Sequence, residues 1–278
     1  MEITAQMVKE LREITNLSMM ECRKALVETQ GDRENAIKWL RERGLVKAGT
    51  RSERKANQGL IAASIAPDGK TGSLIEVNCE TDFVAKNENF IAFVAGLTAR
   101  ASQFADGEMT AATKEELGYK IAEIGENLVL SKNVRYQVSG NGFVASYIHL
   151  GGKVGVLAEI GCDKDSTPSS AKAQELGRDV CMHIAASSPL ALDRSGIPAE
   201  MVESEKAIYA KQVEGKPAAV VEKILAGKLD KFYQQNVLTE QAFVKDQDKS
   251  IANVLDETSK LLGDKLVVRR YVRLQIGS

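Results

Sequence analysis

Histidine, cysteine and proline are scarce in this chain of 278 residues: two, four and five respectively. The cysteines, Cys22, Cys79, Cys162 and Cys181, stand far apart with no C-x-x-C. That spacing excludes a zinc ribbon or a redox pair and leaves buried free thiols as the expectation. The histidines, His149 and His183, form neither an H-x-x-x-H nor an H-x-E pattern, so no zinc site is expected. No apolar run approaches the ~20 residues that cross a bilayer. The start, Met1-Glu2-Ile3-Thr4, lacks the basic residues and apolar run of a signal peptide, so a cytoplasmic protein without membrane contact is expected. With a net charge of −1 there is no surplus of Lys and Arg to hold phosphate backbones, and no direct nucleic-acid partner is expected. The local exception is the basic run Lys47 to Lys55, with Arg51 and Arg54, which reads as a solvated linker or as an RNA contact. No serine occupies a G-x-S-x-G elbow. Gly69-Lys70-Thr71 has the ending of a phosphate loop, but the glycine such a loop needs at position 64 is Ser64. Neither an enzyme nor a bound cofactor is expected.

What is present is ordinary globular material, 44% apolar and 27% charged, enough for about two domains and some smaller units. Residues 1–46 read as three short helices. Thr4 can cap the first, whose stripe is Met7, Val8, Leu11 and Ile14. Ser18 and Glu21 have capping-box spacing, so a second helix should start at Met19, with Ala25 and Leu26 facing inward. Asp32 can cap a third carrying Ile37, Trp39 and Leu40, stopped by Gly44. So small a unit buries little, and either docks on the rest or serves as a tethered binding module. Met19 and Met20 lie about 100° apart on the helix, so both cannot face a thin core; one is core and one exposed, or the pair is a partner contact. Residues 47–58 read as a linker.

The remainder is an internal duplication. With Gly59 aligned to Gly142, and no gap, Gly59, Ala62, Ile65, Gly69, Lys70, Gly72, Leu74, Glu76, Cys79 and Asp82 meet identical residues at Gly142, Ala145, Ile148, Gly152, Lys153, Gly155, Leu157, Glu159, Cys162 and Asp165. Each copy reads as a strand, a glycine turn and a second strand, followed by a helix over 87–101 or 171–186. A closing strand follows in each: Leu128 to Val138 matches Leu266 to Ile276 at constant offset. The fold class is therefore α+β: three-stranded antiparallel sheets, each covered by helices on one face, the halves 59–140 and 141–278 packing together. Over 190–236 the second copy carries an inserted helical hairpin. Ile197-Pro198 opens it, Gly215-Lys216-Pro217 turns it, and Val221, Ile224, Leu225, Leu229 and Phe232 form one apolar stripe away from Lys223, Lys228 and Lys231. Such a face finds a partner, a second copy being one candidate.

The copies diverge after the shared cysteine: Glu80-Thr81-Asp82-Phe83-Val84-Ala85-Lys86 against Asp163-Lys164-Asp165-Ser166-Thr167-Pro168-Ser169. Phe83 has no aromatic counterpart. Either Asp82 caps a turn and Phe83 is core beneath the helix, or the pair is an acidic-aromatic wedge offered to a partner.

Val8-Lys9-Glu10-Leu11-Arg12 through Met19-Met20-Glu21-Cys22-Arg23-Lys24-Ala25-Leu26 resembles the opening helices of the translation elongation factor Ts family. So do Glu76-Val77-Asn78-Cys79-Glu80-Thr81-Asp82-Phe83-Val84-Ala85, His183-Ile184-Ala185-Ala186-Ser187-Ser188-Pro189 and Leu238-Thr239-Glu240-Gln241-Ala242-Phe243-Val244 to its later segments. The resemblance runs in order along essentially the whole chain. It implies a UBA-like front domain, two related core subdomains and a dimerisation hairpin. It also implies a guanine nucleotide exchange factor for the GTPase elongation factor Tu (EF-Tu), working as a homodimer or a two-plus-two assembly with it. Contacts from Arg12, Met19 and Met20 to the GTPase domain are implied. Thr81, Asp82, Phe83 and Val84 are implied to approach the nucleotide, with Phe83 disturbing the Mg²⁺ and phosphate site. His149 falls in a segment, His149 to Leu157, implied to meet another domain of the GTPase. Some relatives carry a further C-terminal helical module after the last strand, so a smaller interface is expected for Gln275-Ile276-Gly277-Ser278. The alternative is a protein-interaction module with no exchange activity.

Overall fold

The structure, a computed structural model, describes residues 3–15, 17–43, 54–213 and 217–278. Residues 47–53 of the basic run, Gly44, and Gly215-Lys216 of the hairpin turn lie outside the described residues. Among the described residues no helix is long and apolar enough to cross a membrane.

Three helices open the chain: α1 (Ala5–Thr15), α2 (Met19–Glu28) and α3 (Arg33–Glu42). Thr4 Oγ1 accepts from Met7 N at 3.2 Å. Ser18 and Glu21 form the full capping box, and Asp32 accepts from Asn35 N at 2.9 Å. Each cap satisfies an amide that has no helical partner, for about 1 kcal/mol. Val8, Leu11, Ala25, Leu26, Ile37 and Leu40 close the small core between them.

The duplication folds as two three-stranded antiparallel sheets. The first is β1 (Gln58–Ile65), β2 (Thr71–Cys79) and β3 (Leu128–Gln137), in that order; Gln58, read as linker, pairs with Cys79. The second is β4 (Gly142–His149), β5 (Val154–Gly161) and, after the hairpin, β8 (Val267–Gln275). Register shifts fall at Glu76/Val77 and Glu159/Ile160, equivalent places in the two copies. Between β2 and β3 lie α4 (Asp82–Ala85), α5 (Glu88–Arg100), α6 (Glu108–Ala112) and α7 (Lys114–Ile124). Of these, only α5 is placed from the sequence; α4, α6 and α7 are seen in the structure alone. The second copy places α8 (Ala171–Ser187) against its sheet, then the hairpin helices α9 (Ala199–Gln212) and α10 (Ala218–Asn236). A two-stranded ribbon follows, β6 (Ala242–Phe243) with β7 (Asp246–Ser250), and then α11 (Ile251–Leu262), opened by a capping box of Ser250 and Asn253.

The uncovered faces of the sheets meet each other, as their apolar residues require. Ile61, Leu74, Tyr136, Val144, Leu157 and Leu274 form that layer, each large aliphatic contributing about 1.5–3 kcal/mol by burial. Equivalent bonds cross it in both directions: Ile61 N donates to Gly152 O at 2.7 Å, and Val144 N to Gly69 O at 2.8 Å. Lys70 Nζ donates to the carbonyls of Gly140 and Gly142 at 3.1 Å. Lys153 Nζ donates to Gln58 Oε1 at 3.0 Å and Gly59 O at 3.4 Å. Lys70, whose motif ends like a phosphate loop, and its counterpart Lys153 thus each hold the backbone at the start of the opposite copy's first strand.

Of the hairpin stripe, Phe232 and Leu229 pack with Val202 of α9 and with Ala191, Ile197 and Val237 at the hairpin base, while Val221, Ile224 and Leu225 are half-buried. Lys228 departs from the expected outward position: its Nζ lies 5.3 Å from the Tyr209 ring and bonds Gln212, because the long stem covers the α9–α10 seam. At the hairpin base Arg194 forks onto Glu240 at 2.6 and 2.8 Å, reaches Asp230 at 3.1 Å and stacks over Tyr233.

His183 is fully buried beneath that base. Its Nε2 bonds Gln241 Oε1 at 2.9 Å; because Gln241 Oε1 can only accept, Nε2 carries the proton. Nδ1 has no partner. Burial lowers the His183 pKa below 6.5, more than the Gln241 bond raises it. The unfolded chain therefore binds a proton that the folded chain refuses, so stability is full above about pH 6.5 and declines as pH falls through the lower folded value. Urea unfolding at pH 7.5 and 5.5 should show this decline, and His183→Gln should flatten it. An equal decline in the variant would assign it to other groups.

Candidate functional site

After β2 the chain cannot continue as strand, because Thr81 turns it. Thr81 is extended (φ −121°, ψ 157°), and its Oγ1 accepts from Val84 N at 3.3 Å, capping the single turn of α4. The same hydroxyl donates to Glu126 Oε1 at 2.6 Å, and Thr81 N donates to Glu126 Oε2 at 3.0 Å. The Cys79 thiol donates to Thr81 O at 3.1 Å. Burial pushes that thiol up to about 11, so it stays protonated as the bond requires.

The turn so fixed presents Asp82 and Phe83 outward. Asp82 meets Lys86 Nζ at 2.8 Å, and that bond together with the lysine's charge holds its carboxyl below the usual range. Phe83 is 82% exposed. The alternative in which Asp82 caps the turn and Phe83 fills the core is therefore corrected: Thr81 is the cap, and Phe90 of α5 is the buried aromatic. In one helical turn only part of the circumference faces the sheet; Ala85 and, in part, Val84 take it, which leaves Phe83 on the solvent side. An exposed phenylalanine on a hydrogen-bonded turn contributes little to the fold and presents a large apolar surface to a partner.

A second exposed group lies on the front helices. The capping box fixes Met19 and Met20 as the first residues of α2, beyond the reach of the bundle core, and they are 52% and 78% exposed. The reading in which one of them is core is thereby corrected. Arg12 and Met19 flank one cleft together with Lys9 and Ser18; Met19 and Met20 flank another with Ile3 and Val8. His149 stands apart on the second copy, exposed at the end of β4, stacked on Tyr147 with centroids 5.8 Å apart and bonded to its hydroxyl through Nδ1 at 3.2 Å. Next to it Leu150 is exposed and adopts φ 49°. Thr81 to Val84 thus form one unit, Arg12 with the methionines a second, and His149 a third.

The residue that sequence reasoning missed is Glu126. Its counterpart Asp264, also two residues before the closing strand's leucine, accepts from Asp163 N at 3.0 Å and Lys164 N at 3.1 Å, and from the Thr167 hydroxyl. The constant offset of the closing strands pointed to this acidic pair. Among the described residues no group of three or more His, Cys, Asp or Glu could hold a metal ion. All four cysteines are free and buried. Of the basic run's described part, Arg54 faces Glu80 at 3.6 Å.

Residues 80–278 match the family profile described as elongation factor TS. Along the whole chain the sequence is similar to elongation factor Ts of a Nitratiruptor species, 43% identical over 288 residues, covering 100% of this chain and 94% of that protein. It is 43% identical over 289 residues to elongation factor Ts of Clostridium botulinum, covering 99% and 93%. With elongation factor Ts of Nitratidesulfovibrio vulgaris it shares 39% identity over 279 residues, covering 100% and 96%.

Proposed function

The chain belongs to the elongation factor Ts family, and from that premise we propose that it is a guanine nucleotide exchange factor for EF-Tu that works by wedging rather than by bond chemistry. The observation that carries the mechanism is Phe83, an aromatic ring 82% exposed on a turn whose backbone is bonded on both sides. EF-Tu holds GDP through phosphate contacts and Mg²⁺. A factor speeds GDP release only by binding the nucleotide-free form better than the GDP form. A rigid aromatic wedge next to the acidic Asp82 supplies such a difference if its place exists only where the Mg²⁺ and phosphate site is disturbed. By linkage, rebinding GTP then loosens the factor. Thr81 shapes the turn and Val84 anchors it.

Arg12, Met19 and Met20 supply docking, and His149 with its neighbours meets a second part of the GTPase. In this reading residues 1–46 are the docking module, and 59–140 and 141–278 are the two core halves. The hairpin over 190–236 takes a second copy, since Met201, Ile208 and Val220 leave apolar surface exposed on it. The assembly is then a homodimer or two copies with two of EF-Tu. The sequence features ask for no cofactor.

Release of a fluorescent GDP analogue from EF-Tu, followed by stopped flow, tests this directly. The unsubstituted protein should accelerate release strongly, and an absence of acceleration would leave a protein-interaction module in its place. Joint replacement of Met19 and Met20 by Ala should raise the half-saturating concentration about tenfold while the saturated rate holds. A fall in the saturated rate instead would put the methionines in the exchange step.

A further inference from the structure

We infer that α7 is a strut that holds the Phe83 turn at fixed spacing from the docking face of the front helices, with Glu126 and Asn89 as positioning residues. The inference rests on the exchange reading and concerns how docking becomes wedging. The turn is tied to α7 or its end on both flanks. Upstream, Thr81 is clamped by Glu126 at 2.6 and 3.0 Å, just past the end of α7. Downstream, Asn89 Nδ2 donates to Glu123 at 2.6 Å, and Lys120 Nζ donates to Asn89 Oδ1 at 2.7 Å. Burial pushes the Glu123 carboxyl up, but the bonds from Asn89 and Lys120 outweigh it and hold the group ionised. Phe83 lies on the segment between these two ties.

The front helices pack on the same α7. Ala122 is buried in their core, with Tyr119 packed beside it. Arg41 of α3 lies 5.3 Å over the Tyr119 ring. Gly118 makes the room: a Cβ there would stand 2.7 Å from the Arg41 guanidinium. The front helices therefore pack on α7 itself, and both ties of the wedge turn end on α7 or just past it. A wedge on a loose turn would lose ordering entropy at the moment of insertion. A turn held in advance leaves more of the docking energy to displace the nucleotide.

The test is GDP-analogue release at varied factor concentration for Glu126→Ala/Asn89→Ala, with thermal unfolding as a check of the fold. The saturated rate should fall about tenfold, while the half-saturating concentration moves by less than about threefold. In a Phe83→Ala background the same pair should cost nothing further, because the ties then position no ring. Glu126→Gln, which keeps an acceptor for the Thr81 hydroxyl, should recover most of the rate. Arg41→Ala, at the other side of the strut, should lower the saturated rate in the same direction. Additive losses in the Phe83→Ala background, or a rise in half-saturation with an unchanged saturated rate, would overturn the strut while leaving the exchange reading intact. No acceleration by the unsubstituted protein would overturn both.

Discussion

Phe83→Ala is expected to lower the saturated rate of GDP release by about 30-fold or more, the consequence of losing a hot-spot aromatic worth about 2 kcal/mol. Thermal unfolding should not move, since the ring is 82% exposed and the core beneath is filled by Ala85 and Phe90. The half-saturating concentration should rise less than the saturated rate falls, because Met19, Met20 and Arg12 remain to dock. A Phe83→Leu variant separates shape from mere apolarity: a wedge needs the flat ring and should lose much of its effect, while an anchor in a loose apolar pocket should be largely kept. The outcome that removes the wedge is a saturated rate unchanged from the unsubstituted protein with weaker binding alone; Phe83 would then be an anchor.

Gly155→Val is expected to cost about 3 kcal/mol or more of folding stability, seen as a shift of the urea midpoint or a melting temperature lower by roughly 10 °C. Gly155 lies in β5, where the two sheets approach without a side chain between them. A Cβ there would stand 2.3 Å from Ile61 Cγ2 and 3.1 Å from both Ile148 Cδ1 and Leu74 Cδ1. Gly72 is its equivalent in the other copy, with Val144 Cγ1 at 2.5 Å, Ile65 Cδ1 at 2.8 Å and Leu157 Cδ1 at 3.1 Å. The mirrored crowding makes these two positions the contact points of the paired sheets, so valine must part them or push neighbours out of their rotamers. Ile61→Ala in the Gly155→Val background should restore part of the loss, as a double-mutant cycle on touching residues requires. An unchanged midpoint for Gly155→Val would mean that the sheets are not held at that distance.

Much of this was legible because the signals are local. Capping boxes and Gly turns depend on a few adjacent residues, so α1 to α3, the β1–β2 and β4–β5 hairpins and the hairpin helices stand where spacing puts them. The duplication supplied the rest: one ungapped offset pairs Gly72 with Gly155, and a second, longer constant offset pairs β3 with β8, with no contact known. The elements that escape include α6, α7, the β6–β7 ribbon and α11; of these α7 packs both on the front helices and on the first copy's core. A helix buried on two sides shows no single apolar stripe. Lys70 shows the converse: Ser64 already sets Gly69-Lys70-Thr71 apart from a phosphate loop, but the groups that Lys70 holds instead, the carbonyls of Gly140 and Gly142, are fixed only by the sheet pairing.

The repeat, the sheet strands, the helix caps and the family are all written in neighbouring residues or in their order, and the chain read as text suffices for them. Three features are settled only once the chain is packed. Phe83 is outside and Phe90 inside, Met19 and Met20 are both exposed, and Glu126 clamps a turn 45 residues away in the chain. The reason is physical. A side chain's exposure and its long-range partners depend on which surfaces have already been covered by segments distant in the chain, and one turn of helix offers no periodicity from which to read that.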